Sequence, residues 1–226
     1  MTDRVVTSRA QAKEAKTSTS ATRGPHAERT AAMRKRLIDA AIDCLGKIGY
    51  GATTLQVVTD AAGVSRGAVL HHFPTRVDLM IAVAEYAAGK QNRHVARLLA
   101  DVKPGMDRYL AITMATWDAM TKPAATALLE ILMGSRSDKE LGARLPAVIE
   151  ALEKYQREGV WEQAQSVGIT DKATVEAMEH LHKAAMRGLA LDLMFSGNGK
   201  KAAAAMKLLV RYKRELTGTL VPKRFE

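Results

Sequence analysis

Between Thr30 and Leu216 the large apolar side chains recur three and four residues apart, and nearly every run is bounded by glycine, proline or a capping residue. That period stacks them on one face of a helix and does not send them to alternate faces of a strand. Met33, Leu37, Ile38, Ala41, Ile42, Leu45 and Ile48 form the first run, with Gly49 as its stop. "ATTLQVVTDAAG" is rich in strand formers, yet Leu55, Val58 and Ala62 share one helical face between a Thr54 cap and Gly63. Ser65 caps a short segment to Phe73, and Thr75 caps a long run that ends before Pro104. Five more runs are expected at 104–119, 123–134, 138–166, 171–196 and 199–217, with Pro146 dividing or kinking the third. No strand-like alternation and no internal repeat accompanies them, so the fold class is all-α.

Residues 1–28 are rich in Ser, Thr, Ala, Lys and Arg and carry few large apolar groups. They lack the apolar surface to offset ordering entropy and read as a disordered basic tail. The net charge of +10 is unevenly placed: residues 1–78 carry 12 Lys/Arg against 7 Asp/Glu, 79–197 carry 14 against 15, and 198–226 carry 8 against 2. Basic ends around a neutral middle suit a polyanionic partner, while 4% aromatic residues argue against a base-stacking single-strand binder. One cysteine, Cys44, allows no intramolecular disulfide, no apolar run reaches the roughly 18 residues of a membrane span, and no secretory signal is evident at the start. The expected location is the cytoplasm.

The stretch "GVSRGAVLHHFP", Gly63 to Pro74, admits two readings. Gly63, Ser65 and Gly67 fit the G-x-S-x-G nucleophile elbow, and Asp171 and His180 complete a serine, acid, histidine order. An elbow needs a buried strand leading into its first glycine, and here the lead-in is a helix end. Metal binding is no better supported, because the adjacent His71 and His72 diverge by about 100° on a helix and cannot share an ion unaided. No catalytic constellation, cofactor motif or metal motif is found, and the chain is not expected to be an enzyme.

The alternative is a helix-turn-helix, with Ala62, Gly63, Val64 and Ser65 as the join and the segment after Ser65 as the helix that enters the major groove. Val69 and Phe73 are four apart and face inward, so Arg66, Gly67 and Leu70 point outward, flanked by Ala68 and His71. The run from Gly49 to Met80 resembles the DNA-binding domain of the TetR family of bacterial transcriptional regulators in its Gly-aromatic, Thr-Thr, Ala-Gly-Val-Ser and His-Phe-Pro steps. The resemblance implies a homodimer that places two recognition helices on a palindromic double-stranded DNA operator and is released by a small-molecule effector. It further implies that Gln56 and Arg66 read bases, that Gly67 permits close backbone approach, and that Thr54, Ser65, His71, His72 and Arg76 hold phosphates. Leu70 departs from the family, which usually carries a tyrosine there that touches DNA. Arg34, Lys35 and Arg36 are further candidates for backbone contact.

The chain is thus expected to divide into the tail (1–28), a helix-turn-helix domain (29–77), a helical effector-binding and dimerisation domain (78–217) and a C-terminal tail (218–226). Residues 171–196 carry two apolar stripes, Val175, Met178, His182, Ala185, Leu189 and Leu193 on one and Ala177, Leu181, Ala184, Gly188, Leu191 and Phe195 on the other. One stripe suits the core and the other a second subunit. The expected dimer surface is Leu181, Ala184, Gly188 and Leu191 with Leu209, Tyr212 and Leu216 of the last run. Eight of the 11 methionines and both tryptophans lie beyond Pro104. Tyr109, Thr113, Met114 and Trp117, facing Met178, His182 and Met186, are the expected pocket for a small apolar effector. A ligand-responsive repressor is favoured over an activator of the same fold and over a nonspecific basic DNA-binding protein.

Overall fold

A computed structural model describes residues 24–222 of the chain. Among these residues there are nine helices and no strands. The first, α1 (Pro25–Ala52), is broken near its end by Gly49, whose φ of 73° lies in the left-handed region and turns Tyr50 to Ala52 into a separate final turn. Next comes α2 (Leu55–Ala62), started by Thr54, whose hydroxyl accepts from the Val57 amide at 3.2 Å, and ended by Gly63 at φ 62°. In α3 (Arg66–His72) the Ser65 hydroxyl accepts from the Ala68 amide at 3.2 Å. A reciprocal box opens α4 (Arg76–Leu98): Thr75 Oγ1 accepts from the Asp78 amide and the Asp78 carboxylate accepts from the Thr75 amide. The body is completed by α5 (Met106–Met120), α6 (Pro123–Gly134), α7 (Lys139–Ser166), α8 (Lys172–Ser196) and α9 (Gly199–Leu220).

Three boundaries differ from expectation. Of the expected N-terminal tail, residues 1–23 lie outside the described residues, but residues 25–28 belong to α1. Proline suits a first helical position, and the Thr30 hydroxyl donates to the His26 carbonyl at 2.9 Å within this added turn. The last helix runs to Leu220, because Leu220 and Val221 pack against a buried cluster and hold the chain helical past Gly218. Pro146 does not divide α7. Leu141 and Leu145 before it are buried and Ile149 after it packs on the same core, and this anchoring on both sides outweighs the lost hydrogen bond.

The larger core is continuous across the expected domain boundary at residues 77 and 78. Leu37 and Leu45 of α1, Val58 of α2, Val69 of α3, Met80 of α4, Ile131 of α6 and Leu141 of α7 belong to one buried cluster. The helix-turn-helix therefore rests directly on α4, α6 and the start of α7. A smaller cluster of Tyr109, Ala164, Ile169, Val175 and Met178 joins α5, α7 and α8 further away.

Candidate nucleic-acid interface and effector cavity

On α3 the inward pair is as expected: Val69 and Phe73 are each 1% exposed. Arg66, Gly67, Leu70 and His71 are exposed, and Ala68 and His72 are half-buried beside them. Because α3 is only seven residues long, this leaves one narrow outward face. Thr54 and Ser65 are spent as caps through their side chains, yet both remain exposed at the starts of α2 and α3. Gln56 is exposed and donates to Asp60 at 2.8 Å, an intrahelical bond that holds its amide along α2. Burial, then His71, then Arg34, push the His72 imidazole below its ordinary pKa.

Arg76 has intramolecular partners that the sequence did not indicate. Its guanidinium turns inward, donating to the Thr53 carbonyl at 2.8 Å and to the Tyr50 carbonyl, stacking over the Tyr50 ring at 4.0 Å and lying 3.7 Å from Asp138. The side chain stays 27% exposed and borders the same surface hollow as Thr54, Gln56, Arg66 and Leu70. Three basic residues of α1 stay exposed: Arg34 lies over the Phe73 ring at 4.5 Å, Lys35 pairs with Asp39, and Arg36 donates to the Gly63 carbonyl at 3.4 Å.

Tyr50 is the centre of a joint that sequence reasoning did not single out. Its amide donates to Glu130 of α6 at 2.9 Å and its phenol donates to Asp138, the cap of α7, at 2.7 Å. The ring lies so close to Gly134 that a Cβ there would meet it at 2.3 Å. A second strut joins Asp78 to Arg144 of α7 at 2.7 Å, which lowers the Asp78 carboxyl below its usual range together with the Thr75 bonds. The Gly-aromatic step was the only sign of this joint in the sequence.

A cavity of about 510 Å³ opens between α4, α5, α6, α7 and α8, with Lys213 reaching it from α9. Its apolar wall includes Ala88, Val95, Ile112, Leu128, Leu132 and Met186. Of the expected pocket residues, Thr113, Met178, His182 and Met186 line it, whereas Tyr109, Met114 and Trp117 do not. Tyr109 is wholly buried in the smaller core and Met114 is 46% exposed. On α5 the cavity face is Ile112, Thr113, Thr116 and Met120, turned from the expected stripe because apolar residues surround most of that helix.

The polar part of the wall was also missed. Gln156 donates to Asn92 at 2.8 Å across α7 and α4. Glu153 is met by Arg187 at 2.9 Å, Lys183 at 3.7 Å and Arg157 at 3.9 Å, and Lys183 also pairs with Glu179 at 2.9 Å. Burial pushes the Glu153 carboxyl up, but its cationic neighbours more than reverse this and hold it below the ordinary value. His182, whose Nδ1 lies 3.5 Å from Thr113 Oγ1, is pushed down to about 4 by burial and by Lys213. Lys213 is 3% exposed and is pushed down to about 7 by burial. The only sequence sign of its place is that Ala202, Met206, Lys213 and Thr217 recur on one face of α9, all buried.

The two stripes of α8 separate over its first half, while Ala185, Leu189 and Leu193 of the expected core stripe are only half-buried. Val175, Met178 and His182 are buried, while Leu181 is 62% exposed and Phe195 83% exposed, with Ala184 and Gly188 open between them. Leu191 and Leu209 are half-buried, and Tyr212 and Leu216 of α9 are exposed. The result is an apolar face shared by α8 and α9.

An exposed seven-residue helix after a left-handed glycine turn, mounted on an all-helical body, is the architecture of a helix-turn-helix transcriptional regulator. Residues 37–83 match the family model described as bacterial regulatory proteins, tetR family. The chain is 33% identical over 101 residues to the HTH-type regulator TtgW of Pseudomonas putida, covering 44% of this chain and 72% of that one. It is 32% identical over 118 residues to an HTH-type regulator of Mycobacterium tuberculosis, covering 50% of this chain and only 58% of the relative's length. A transcriptional regulator of a Rhodococcus species shares the fold with a TM-score of 0.62 at 20% identity, over 79% of this chain and 94% of that one. The chain belongs to the TetR family of bacterial transcriptional regulators. No helix among the described residues is long and apolar enough to cross a membrane.

Proposed function

We propose that the chain is a ligand-responsive repressor that binds a palindromic operator as a homodimer and lets go of it when a small molecule occupies the α4–α8 cavity. The observation that carries this is the double use of α4 and α6. Ala88, Val95, Leu128 and Leu132 wall the cavity, while Met80 and Ile131 of the same two helices pack against the helix-turn-helix and Glu130 holds Tyr50. A ligand that changes the separation of α4 and α6 is thereby felt at α3.

Two recognition helices must stand one turn of DNA, about 34 Å, or a multiple apart to enter successive major grooves. An effector acts by binding more tightly to a conformation in which that spacing is wrong. In this scheme Arg66 bonds guanine, Gln56 reads beside it, and Leu70 adds apolar contact of the kind a thymine methyl accepts. Thr54, Ser65, His71 and His72 lie around them as phosphate partners, with Arg76 left to the joint. The α8 and α9 face supplies the dimer, since a contiguous apolar patch with small residues at Ala184 and Gly188 lets two helices approach closely.

The deciding experiment is selection of preferred DNA from a random pool with the purified protein, followed by titration of the selected site at several salt concentrations. A two-fold symmetric site with preserved preference as salt rises is expected. A steep salt slope with no preferred sequence would leave only nonspecific coating. Leu181→Glu should yield monomers in solution and lose the symmetric site. A promoter fusion separates the repressor from an activator by the sign of its response.

A further inference from the structure

Lys213 is a buried amine on the cavity wall without a matching anion. The other charged groups there are accounted for: Glu153 and Glu179 are matched by Lys183, Arg187 and Arg157, Glu158 and Glu162 are exposed, and Arg108 is half-exposed. The Lys213 ammonium donates to the Tyr109 carbonyl at 2.6 Å and sits 4.2 Å from the centre of the Tyr109 ring, and no described carboxylate lies within ion-pair distance of it. One neutral acceptor and a ring face leave N–H capacity unused on a group whose burial is costly without a counter-charge. Off the cavity, the buried hydroxyls of Tyr109 and of Thr217, one turn along α9, also lack partners.

We propose that the effector is a monoanionic carboxylate with an apolar body, its carboxylate bound by the Lys213 ammonium. This rests on the cavity being the effector site. A carboxylate forms short charge-assisted bonds with a buried ammonium, and Thr113 and His182 stand nearby as neutral hydrogen-bonding groups. A dianion such as a phosphate monoester would bring a second charge that the wall has no free buried cation to meet. A cationic effector is disfavoured because the half-buried carboxylates Glu153 and Glu179 already have partners. The apolar effector expected from sequence thus becomes an amphipathic acid, its body against Ile112, Leu128 and Met186. The anchor also has a lever: Lys213 faces the cavity from α9, whose adjoining face carries Tyr212 and Leu216 of the proposed dimer face.

The test is titration calorimetry with medium-chain alkanoates and substituted benzoates, each paired with its own primary amide, alongside operator release by the same compounds. Each acid that binds is expected to bind about ten- to a hundredfold more tightly than its amide, a charge-assisted against a neutral bond. Lys213→Met, of similar length, is expected to abolish that preference while its melting curve shows a folded protein. Equal affinity of acid and amide, or an acid preference that survives in folded Lys213→Met, overturns the proposal. Amides that bind and release DNA while acids do not would overturn the carboxylate and leave the effector cavity standing. If neither class binds, the carboxylate and the effector cavity both fall.

Discussion

Replacing Tyr50 with Phe removes one hydroxyl and leaves the rest of the joint in place. The phenol donates to Asp138 at 2.7 Å, and the acceptor retains the Leu141 amide at 3.0 Å and Arg76 at 3.7 Å. The ring keeps its contacts with Gly134 and with the Arg76 guanidinium. Loss of one part-buried, charge-assisted bond costs about 1–2 kcal/mol, which for a chain of this length lowers the melting temperature by about 2–8 °C. The Asp138 carboxyl is held below its ordinary range first by the Leu141 amide and then by the Tyr50 hydroxyl. A lowered carboxyl pKa stabilises above the ordinary carboxylate value and loses that contribution as pH falls through the lowered value. The difference between wild type and Tyr50→Phe should therefore shrink in acid. If the bond belongs to the DNA-binding conformation alone, operator affinity falls about 5- to 30-fold with cavity and α3 untouched. Thermal melts across pH and operator titration by fluorescence anisotropy measure both. Melting temperature and operator affinity that both match wild type would refute a coupling role for Tyr50.

Gly67→Ala is expected to leave the fold intact or gain about 0.5–1 kcal/mol from helix propensity, since an added Cβ meets nothing within 4 Å, while operator affinity drops. Unchanged DNA titrations would remove Gly67 from the interface. Arg76→Ala takes donors from the Tyr50 and Thr53 carbonyls and should cost about 1–3 kcal/mol in denaturant unfolding; normal stability with a shallower salt dependence of DNA binding would return it to a phosphate role. Arg66→Ala should relax preference at one base pair by about 1–3 kcal/mol in competition with variant sites. For Lys213, burial sets about 7 in the folded chain against 10.5 for the free side chain, so between these values the unfolded state binds more protons. Stability relative to Lys213→Met should rise with pH across that window, as read from urea midpoints; a flat difference would mean that the ammonium is not desolvated.

The sequence by itself determined that the chain is helical and where the capped helices of the helix-turn-helix begin and end, because that information is local. Thr54, Ser65 and Thr75 each cap through an amide three residues on, and Gly63 adopts a left-handed turn that a side chain disfavours. It also separated the two faces of α8, where both stripes are apolar but only one can reach the core. Tertiary structure decided where charged side chains go. Asp78 pairs with Arg144, 66 residues away, and Arg76 with backbone 23 and 26 residues back, so neither partner is coded by spacing. It likewise set the rotation of α5, which moved Met114 and Trp117 off the cavity, because a helix apolar around most of its circumference has no preferred inward face until its neighbours are in place. Lys213 is the sharpest case: among surface-like lysines and arginines of α9 nothing in composition marks it, and it is buried because Met206 and Thr217 fix which side of the helix meets α5.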